Sequence, residues 1–530
     1  MNITKLTFDK INQFSKTDKA YVLGDKALQP YYKHEVNLTQ FKEVIAQRNF
    51  PDTNRSVLCE VLEQQYKTIG ATNKVLENLQ ALAKANTFTI TTAHQPNLLT
   101  GPLYFIYKIV GAINLAEQLN TTYPDQQFVP VYWMGGEDHD FEEVNYFNIF
   151  GKKVVWDDKQ GGSVSRYQIE SLLPVLEEVY GLLGDSENAQ NLKGILSKSY
   201  EQSTDYGDFS LRLVNQLFGH YGLIVLDSSH KAFKSLMKPI FREELLKHSS
   251  QTLVQETAAQ LQALGFKNQA YARAINLFHL LPNDRVRIVK EEGRYKALDT
   301  GIEWSEEELL EELEKYPESF SPNVILRPLF QETILPNLAY IGGGGELAYW
   351  LERKTQFEHY NIPFPMLIRR NSVLWIDKGQ SKKLAKFGFS MSEIFEDTEA
   401  LIKQYVHAES EEELHFESEK GSFNQVFEQI LAKTIAIDST LGKGVQAQQA
   451  QLYKALEKLE KRLVKHKKQQ HDTVVQQIRK WKDKLFPKNG LQERHDNFIA
   501  LYLRYGDVFI QELKAHLHPL EKQFVVVQDS

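Results

Sequence analysis

Glu137, Asp138, His139 and Asp140 stand in consecutive positions, just after an apolar run, Phe128–Met134, and a pair of glycines. Such a cluster is costly to assemble unless it faces water, a metal or a cationic substrate group. Two chemistries suit it: hard Mg²⁺ coordination, or orientation of an ammonium group with His139 as proton carrier. Zinc suits it less, because adjacent residues converge poorly on one ion. A plain acidic turn capping the next helix is the structural alternative.

A second concentration lies in "AHQPNLLTG", residues 93–101, between the strand-like "TFTITT" and a helical pattern starting near Pro102. Thr100 reads as an N-cap and Pro102 as a first-turn residue. The free N–H groups of that helix start favour an anion, with His94, Gln95 and Asn97 adding side-chain donors.

The third is "IGGGGELAYW", residues 341–350. Glycines before a helix let backbone N–H groups approach an anion. No Lys-Ser/Thr follows, so this is not a Walker loop. Gly343, Gly345 and Ala348 fit the dinucleotide pattern G-x-G-x-x-A only in isolation, and Glu346 would place a carboxylate at the phosphate position. Arg327 and Gln331 upstream and Arg369-Arg370 downstream could grip a carboxylate or phosphate with two hydrogen bonds, at least one of these arginines being structural.

The elements that must carry these groups alternate. Residues 1–86 are mostly helical by apolar spacing; then "TFTITT", "FVPVYWM", "GLIVLDS" and "MLIRRNSVLWID" read as buried strands separated by long helical patterns. That predicts an α/β fold with a largely parallel sheet, whose ligands sit beyond the carboxyl ends of the strands. Long intervals imply insertions at roughly 157–205 and 240–325, the second including an acidic, solvated helix "WSEEELLEELEKY". From Phe423 the apolar residues step by three and four, as in a long helical hairpin or coiled coil. If Val445–Leu485 is one helix, it is about 60 Å long. The predicted boundaries are a core over 1–380, a coil over 381–490 and a C-terminal segment over 491–530 that packs back on the core.

Bulk properties narrow the class. The chain has 530 residues, 42% hydrophobic and 25% charged, with a net charge of -7. That length calls for more than one unit, and the charge offers no general attraction to nucleic acid or an anionic membrane. The basic face "EKLEKRLVKHKKQQ" reads as a solvated coiled-coil surface. The start lacks a signal peptide's apolar stretch, and no window reaches the ~18 apolar residues of a membrane span. Cys59 is the single cysteine, so there is no internal disulfide, which suits a reducing cytoplasm. The apolar seam of the coil predicts a homodimer.

Taken together, "HQPNLLTGPLYFIYK", "PVYWMGGEDHDFEEVN", "SPNVILRPLFQETILPNLAYIGGGGELAYW" and "LFPKNGLQER" resemble, in order and essentially end to end, the sequence blocks of the bacillithiol biosynthesis cysteine-adding enzymes, BshC. The resemblance implies a Rossmann-like core with inserted connecting segments and a coiled coil through which the family dimerises. It implies a ligase that adds cysteine to the amino group of glucosaminyl-malate. On that basis Asp138, His139 and Asp140 are the expected catalytic residues, orienting an ammonium and accepting its proton. His94, Gln95, Asn97, Thr100, Gly101, Tyr104, Lys108 and Glu137 are expected to bind substrate or nucleotide. Arg327, Gln331, Gly343, Gly344, Gly345, Glu346 and Arg369 would hold a second anion such as the malate group. Amide formation from a free carboxylate needs activation, for which ATP with Mg²⁺ is the expected route. Two other classes compete: a nucleotide-dependent oxidoreductase using the glycine loop, and a non-catalytic scaffold built on the coil.

Overall fold

The computed structural model describes residues 1–408, 416–470 and 472–529. Residues 409–415 and 471 of the expected coil and residue 530 of the C-terminal segment lie outside the described residues. The core is a five-stranded sheet: β1 (Thr87–His94), β2 (Gln127–Met134), β3 (Ile224–Asp227), β4 (Asn337–Gly342) and β5 (Met366–Arg369). Every pairing is parallel, and the spatial order is β5-β4-β1-β2-β3. From β1 the chain builds outward to β2 and β3, then crosses to the other side of β1 for β4 and β5. The switch between β1 and β4 is where such a sheet opens a crevice.

The central strand, TFTITTAH, is rich in threonine, and its hydroxyls cannot be left bare in a core. Thr91 donates to Asn337 Oδ1 at 2.8 Å and Thr92 to the Ile341 carbonyl at 2.8 Å, tying β1 to β4 by side chains as well as backbone. Helix α1 (Tyr104–Thr122) follows β1 and packs over β1 and β2; helix α2 (Gly344–Leu351) follows β4.

Two expectations need correcting. "MLIRRNSVLWID" is two strands rather than one: after β5 the chain breaks at Arg370 and Asn371, and Ser372–Ile376 enters a different sheet. There it pairs in parallel with Gln523–Gln528, which pairs antiparallel with Asn2–Thr7. The expected helical N-terminal region therefore opens with a strand, whose polar and apolar residues alternate with period two. Both chain ends meet in this small sheet.

Between β2 and β3 lie a hairpin (Tyr146–Ile149 and Lys152–Val155) and the helices Leu173–Leu183, Glu187–Glu201 and Tyr206–Phe218. Between β3 and β4 lies a five-stranded antiparallel sheet that includes Leu277–Leu281, Asp284–Glu291 and Phe320–Pro322. The acidic helix is Glu306–Lys315, capped by Ser305 and Glu308, with Leu309 and Leu313 buried and its glutamates outward.

The coil begins as an antiparallel hairpin of α3 (Glu417–Ile437) and α4 (Gly442–Gln470). Gln449 donates to Asn424 at 2.7 Å, and Lys420 meets Glu460 at 2.9 Å. The region expected as one long helix is described as α4 and α5 (Asp472–Leu485), on either side of residue 471. Val475, Ile478 and Trp481 of α5 close a second core with Ile394, Phe395 and Leu401. Among the described residues, no helix is long and apolar enough to cross a membrane.

Candidate active site

Beyond the carboxyl ends of β1, β2, β4 and β5 lies a cavity of about 650 Å³. Trp133, Phe278, Phe330 and Tyr349 give it apolar walls, and two groups of charged side chains line it from different elements.

One group is the acidic turn after β2, and its members do different jobs. Glu137 is spent on structure: it takes the ammonium of Lys234, fully buried, at 2.7 Å and a hydrogen bond from Ser321 at 2.8 Å. Asp138 accepts from Gln95 Nε2 at 2.6 Å, from the His139 N–H at 2.8 Å and from Arg285 Nη1 at 3.3 Å. Burial would raise its pKa, but His139, Arg285 and Gln95 outweigh that and hold the carboxyl well below the usual range. Arg285 Nη1 also lies 3.2 Å from His139 Nδ1. A guanidinium can only donate, so Nδ1 is the acceptor and the neutral ring carries its proton on Nε2. Asp140 is the exception: among the described residues it has no hydrogen-bond donor, and its Oδ1 lies 3.9 Å from His139 Nε2 with the side chain 56% exposed.

Ligand atoms of Asp138, His139 and Asp140 come within 4.8 Å of one another. The Arg285 guanidinium, itself buried and stacked 4.1 Å from the Phe278 ring, already supplies the positive charge there. A divalent ion would meet it at contact distance, so the trio does not fit a resident Mg²⁺.

The other group surrounds the ends of β1 and β4. His94 Nε2 and the Tyr104 hydroxyl are 2.9 Å apart with the rings stacked. Burial, then the Lys108 charge, pushes the imidazole down to about 3, and burial lifts the Tyr104 hydroxyl to about 12. The Lys108 ammonium is buried, donating to the Ala93 carbonyl and to both oxygens of Glu346 at 2.8 Å. Glu346 also accepts from Tyr340 at 2.6 Å and from the Gly343 N–H at 2.8 Å. Burial opposes its charge, but Lys108 and His94 prevail and hold it at about 2. The glycine loop's amide is thus taken by the chain's own carboxylate, which leaves the dinucleotide reading without its pyrophosphate site.

Comparison with known proteins completes the picture. Residues 1–371 match the family model of the bacillithiol biosynthesis BshC N-terminal Rossmann-like domain, and residues 373–528 that of its C-terminal coiled-coil domain. The chain belongs to the BshC family. Relatives carrying the name "Putative cysteine ligase BshC" include one from Flavobacterium johnsoniae, 41% identical over 98% of this chain and 99% of its own. One from Flavobacterium psychrophilum is 39% identical over 99% of each chain, and one from Bacillus cytotoxicus 27% identical over 93% of this chain and 94% of its own. The fold is the family's, a Rossmann-like domain with a coiled-coil domain, and the oxidoreductase and scaffold readings are not favoured.

Many of the residues singled out in the sequence do meet at this cavity. His94, Gln95 and Tyr104 line one side, Glu137, Asp138, His139 and Asp140 another, and Arg327, Gly343, Gly345 and Glu346 a third. The others stand behind it. Lys108 does not line the cavity itself and supports its wall through Glu346 and the Ala93 carbonyl. Gln331 is buried, accepting from Arg327 Nη1 at 2.9 Å and donating to Glu332 at 2.8 Å. Arg369 is held by both oxygens of Asp18, at 2.8 and 3.0 Å, and Gly344 packs so closely on Asp18 that a Cβ would lie 2.2 Å from its carboxylate.

The turn after β1 departs most from expectation. Helix α1 starts at Tyr104 with Leu103 as its N-cap, and the buried Thr100 hydroxyl has no hydrogen-bond partner among the described residues. Leu99 and Thr100 take left-handed φ values of 44° and 70°, so the backbone reverses before the helix begins. Asn97 lies beneath this turn against Gly101, and the helix start faces the chain's C-terminal segment: Leu103 N–H donates to the Asp496 carbonyl at 2.8 Å. Asn497 donates to the carbonyls of Leu99 and Gly101 at 2.9 and 2.7 Å. Thr100 and Pro102 therefore shape a joint with another segment rather than an open anion cradle.

Arg285 and Arg494 were missed as cavity residues, and of the pair Arg369-Arg370 it is Arg370 that lines the cavity. Arg285 comes from the inserted sheet, with no local motif to mark it, and Arg494 closes the block "LFPKNGLQER", whose sequence alone does not tie it to the strand ends. Arg370 follows Arg369 at a strand end, where successive side chains diverge.

Proposed function

We propose that this chain joins the carboxyl group of cysteine to the amino group of glucosaminyl-malate, forming an amide. What supports the reading most is the pairing of a carboxylate turn with guanidinium groups in one cavity, in a member of a family whose relatives are named for cysteine ligation. The acceptor carries both an ammonium and two carboxylates, so it matches a cavity with both signs of charge.

In this reading Asp138, pinned by Gln95 and Arg285, keeps its charge and orients the ammonium. Asp140, which has no donor of its own, takes the proton. The amine nitrogen then attacks the carbonyl carbon of activated cysteine: the C–N bond forms, the bond to the leaving oxygen breaks, and its electron pair departs with the leaving group. ATP is the proposed activator, converting the carboxylate to an acyl phosphate or acyl adenylate. Mg²⁺ would enter with the nucleotide rather than reside on the acidic turn, and Arg327, which lines the cavity beside the glycine loop, is the cation proposed to meet an anion there. His139, with Nδ1 engaged by Arg285, steadies Asp138 through its backbone N–H rather than shuttling a proton. The enzyme is proposed to act in the cytoplasm as a homodimer.

The test replaces Asp140 by Asn in the full-length protein and follows thiol product by mass spectrometry. Loss of a positioned base lowers kcat about a hundredfold or more, with the KM for cysteine little changed. Full ligation by a D138N/D140N double variant would remove the acidic turn from the mechanism.

A further inference from the structure

One charged group at the cavity comes from the far end of the chain. After α5 the segment 491–497 folds onto the core and is clamped there. Gln492 pairs with both the N–H and the carbonyl of Trp375, at 3.0 and 3.3 Å. Glu493, completely buried, accepts from Arg370 Nη2 at 2.8 Å, Ser372 Oγ at 2.9 Å and Val373 N–H at 3.1 Å. Asn497 holds the carbonyls of the turn after β1.

On this fixed support Arg494 lines the cavity with its guanidinium 6.0 Å from the centre of the Tyr104 ring, the ring that has Arg370 at 5.2 Å. The two arginines differ in one respect. Arg370 is neutralised by Glu493, whereas Arg494 has no carboxylate at ion-pair distance among the described residues. A guanidinium held at a cavity by rigid backbone, with no carboxylate of its own, is available to take two oxygen atoms of a ligand. Arg494 is exposed to the cavity, and a clamped backbone and an aromatic face hold it at the wall.

We propose that Arg494 is a carboxylate-binding residue of this cavity, gripping the malyl end of the acceptor while the acidic turn takes its ammonium. The C-terminal domain thereby contributes directly to a site otherwise built by the Rossmann-like domain. The name of the ligand rests on the functional reading above; the anion subsite itself does not.

The experiment uses the full-length protein and its R494A and R494K variants, with melting temperatures recorded for each. Calorimetry with L-malate and, separately, with ATP measures binding, and the ligation assay gives KM for each substrate. Losing one charge-assisted contact raises the malate Kd, and the KM for glucosaminyl-malate, by about tenfold or more. The KM for cysteine and ATP binding stay within about twofold of the unaltered chain, and Lys, which keeps the charge without the fork, recovers part of the loss. Unchanged malate affinity in R494A, no malate binding by the unaltered chain, or a loss confined to ATP overturns the proposal. If the unaltered chain makes no thiol yet R494A still loses malate, the functional reading fails and the subsite stands. If it makes thiol with an unchanged acceptor KM in R494A, the subsite alone fails.

Discussion

His94 shows how a residue type that suggests acid–base chemistry can be given a different task by its surroundings. Its imidazole, pushed down to about 3 from the ordinary 6.5 by burial and Lys108, is neutral throughout the physiological range and bonded to Tyr104. The stability consequence has a definite sign. As pH falls below 6.5 the unfolded chain takes up the proton that the folded one refuses, so stability falls by up to ~1.4 kcal/mol per pH unit from this group until about pH 3. His94→Gln is therefore expected to be less sensitive than the unaltered chain between pH 6.5 and 4.5 in urea unfolding, with ligation retained. Parallel pH curves for the two proteins would rule that out. Gly344 and Gly345 give a second contrast. A methyl at Gly344 meets the Asp18 carboxylate and threatens its pairing with Arg369, whereas at Gly345 the nearest atom is 3.9 Å away. Gly344→Ala should cost ~1–3 kcal/mol in denaturant unfolding, and Gly345→Ala should fall within ~0.5 kcal/mol of the parent.

At the scale of elements, the strand ends do the positioning. β1 and β2 deliver His94, Gln95 and the acidic turn, and β4 delivers the glycine loop. These were legible in the sequence because a β-branched apolar run followed by polar residues marks both the strand and where it stops. The fate of individual groups was not. Asp138 is fixed by Arg285, 147 positions away, and Arg370 by Glu493, 123 positions away. A guanidinium bound for such a partner looks the same in sequence as one on the surface. The turn after β1 was misread for a related reason: its Thr-Gly-Pro suggests a helix start, but the backbone there is shaped by Asn497, contributed by the opposite end of the chain. Which of Arg369 and Arg370 lines the cavity depends on side-chain alternation at a strand end, and that is set by register.

For the whole molecule, the hairpin of α3 and α4 carries apolar side chains that the other described residues leave exposed. Val426, Ile430, Ile437, Leu441 and Leu459 are exposed, Ile437 at 85%. Exposed apolar side chains repeated along a helical hairpin suit an interface. Light scattering at micromolar concentration is expected to give a dimer, and an I430E/I437E/L459E variant a monomer with an unchanged Rossmann-like domain. A monomeric unaltered chain would remove the coil from that role. The central claim, that the cavity ligates cysteine to an amine, is met most directly by chemistry on the purified protein. Cysteine and glucosaminyl-malate labelled with ¹⁵N at the amine are incubated with ATP and without nucleotide, and the products are resolved by mass spectrometry. The account predicts a thiol whose mass is the sum of the two substrates less one water, with ¹⁵N in the new amide and ADP or AMP formed in equal amount. Absence of that thiol under both conditions, from protein shown to be folded, would contradict it.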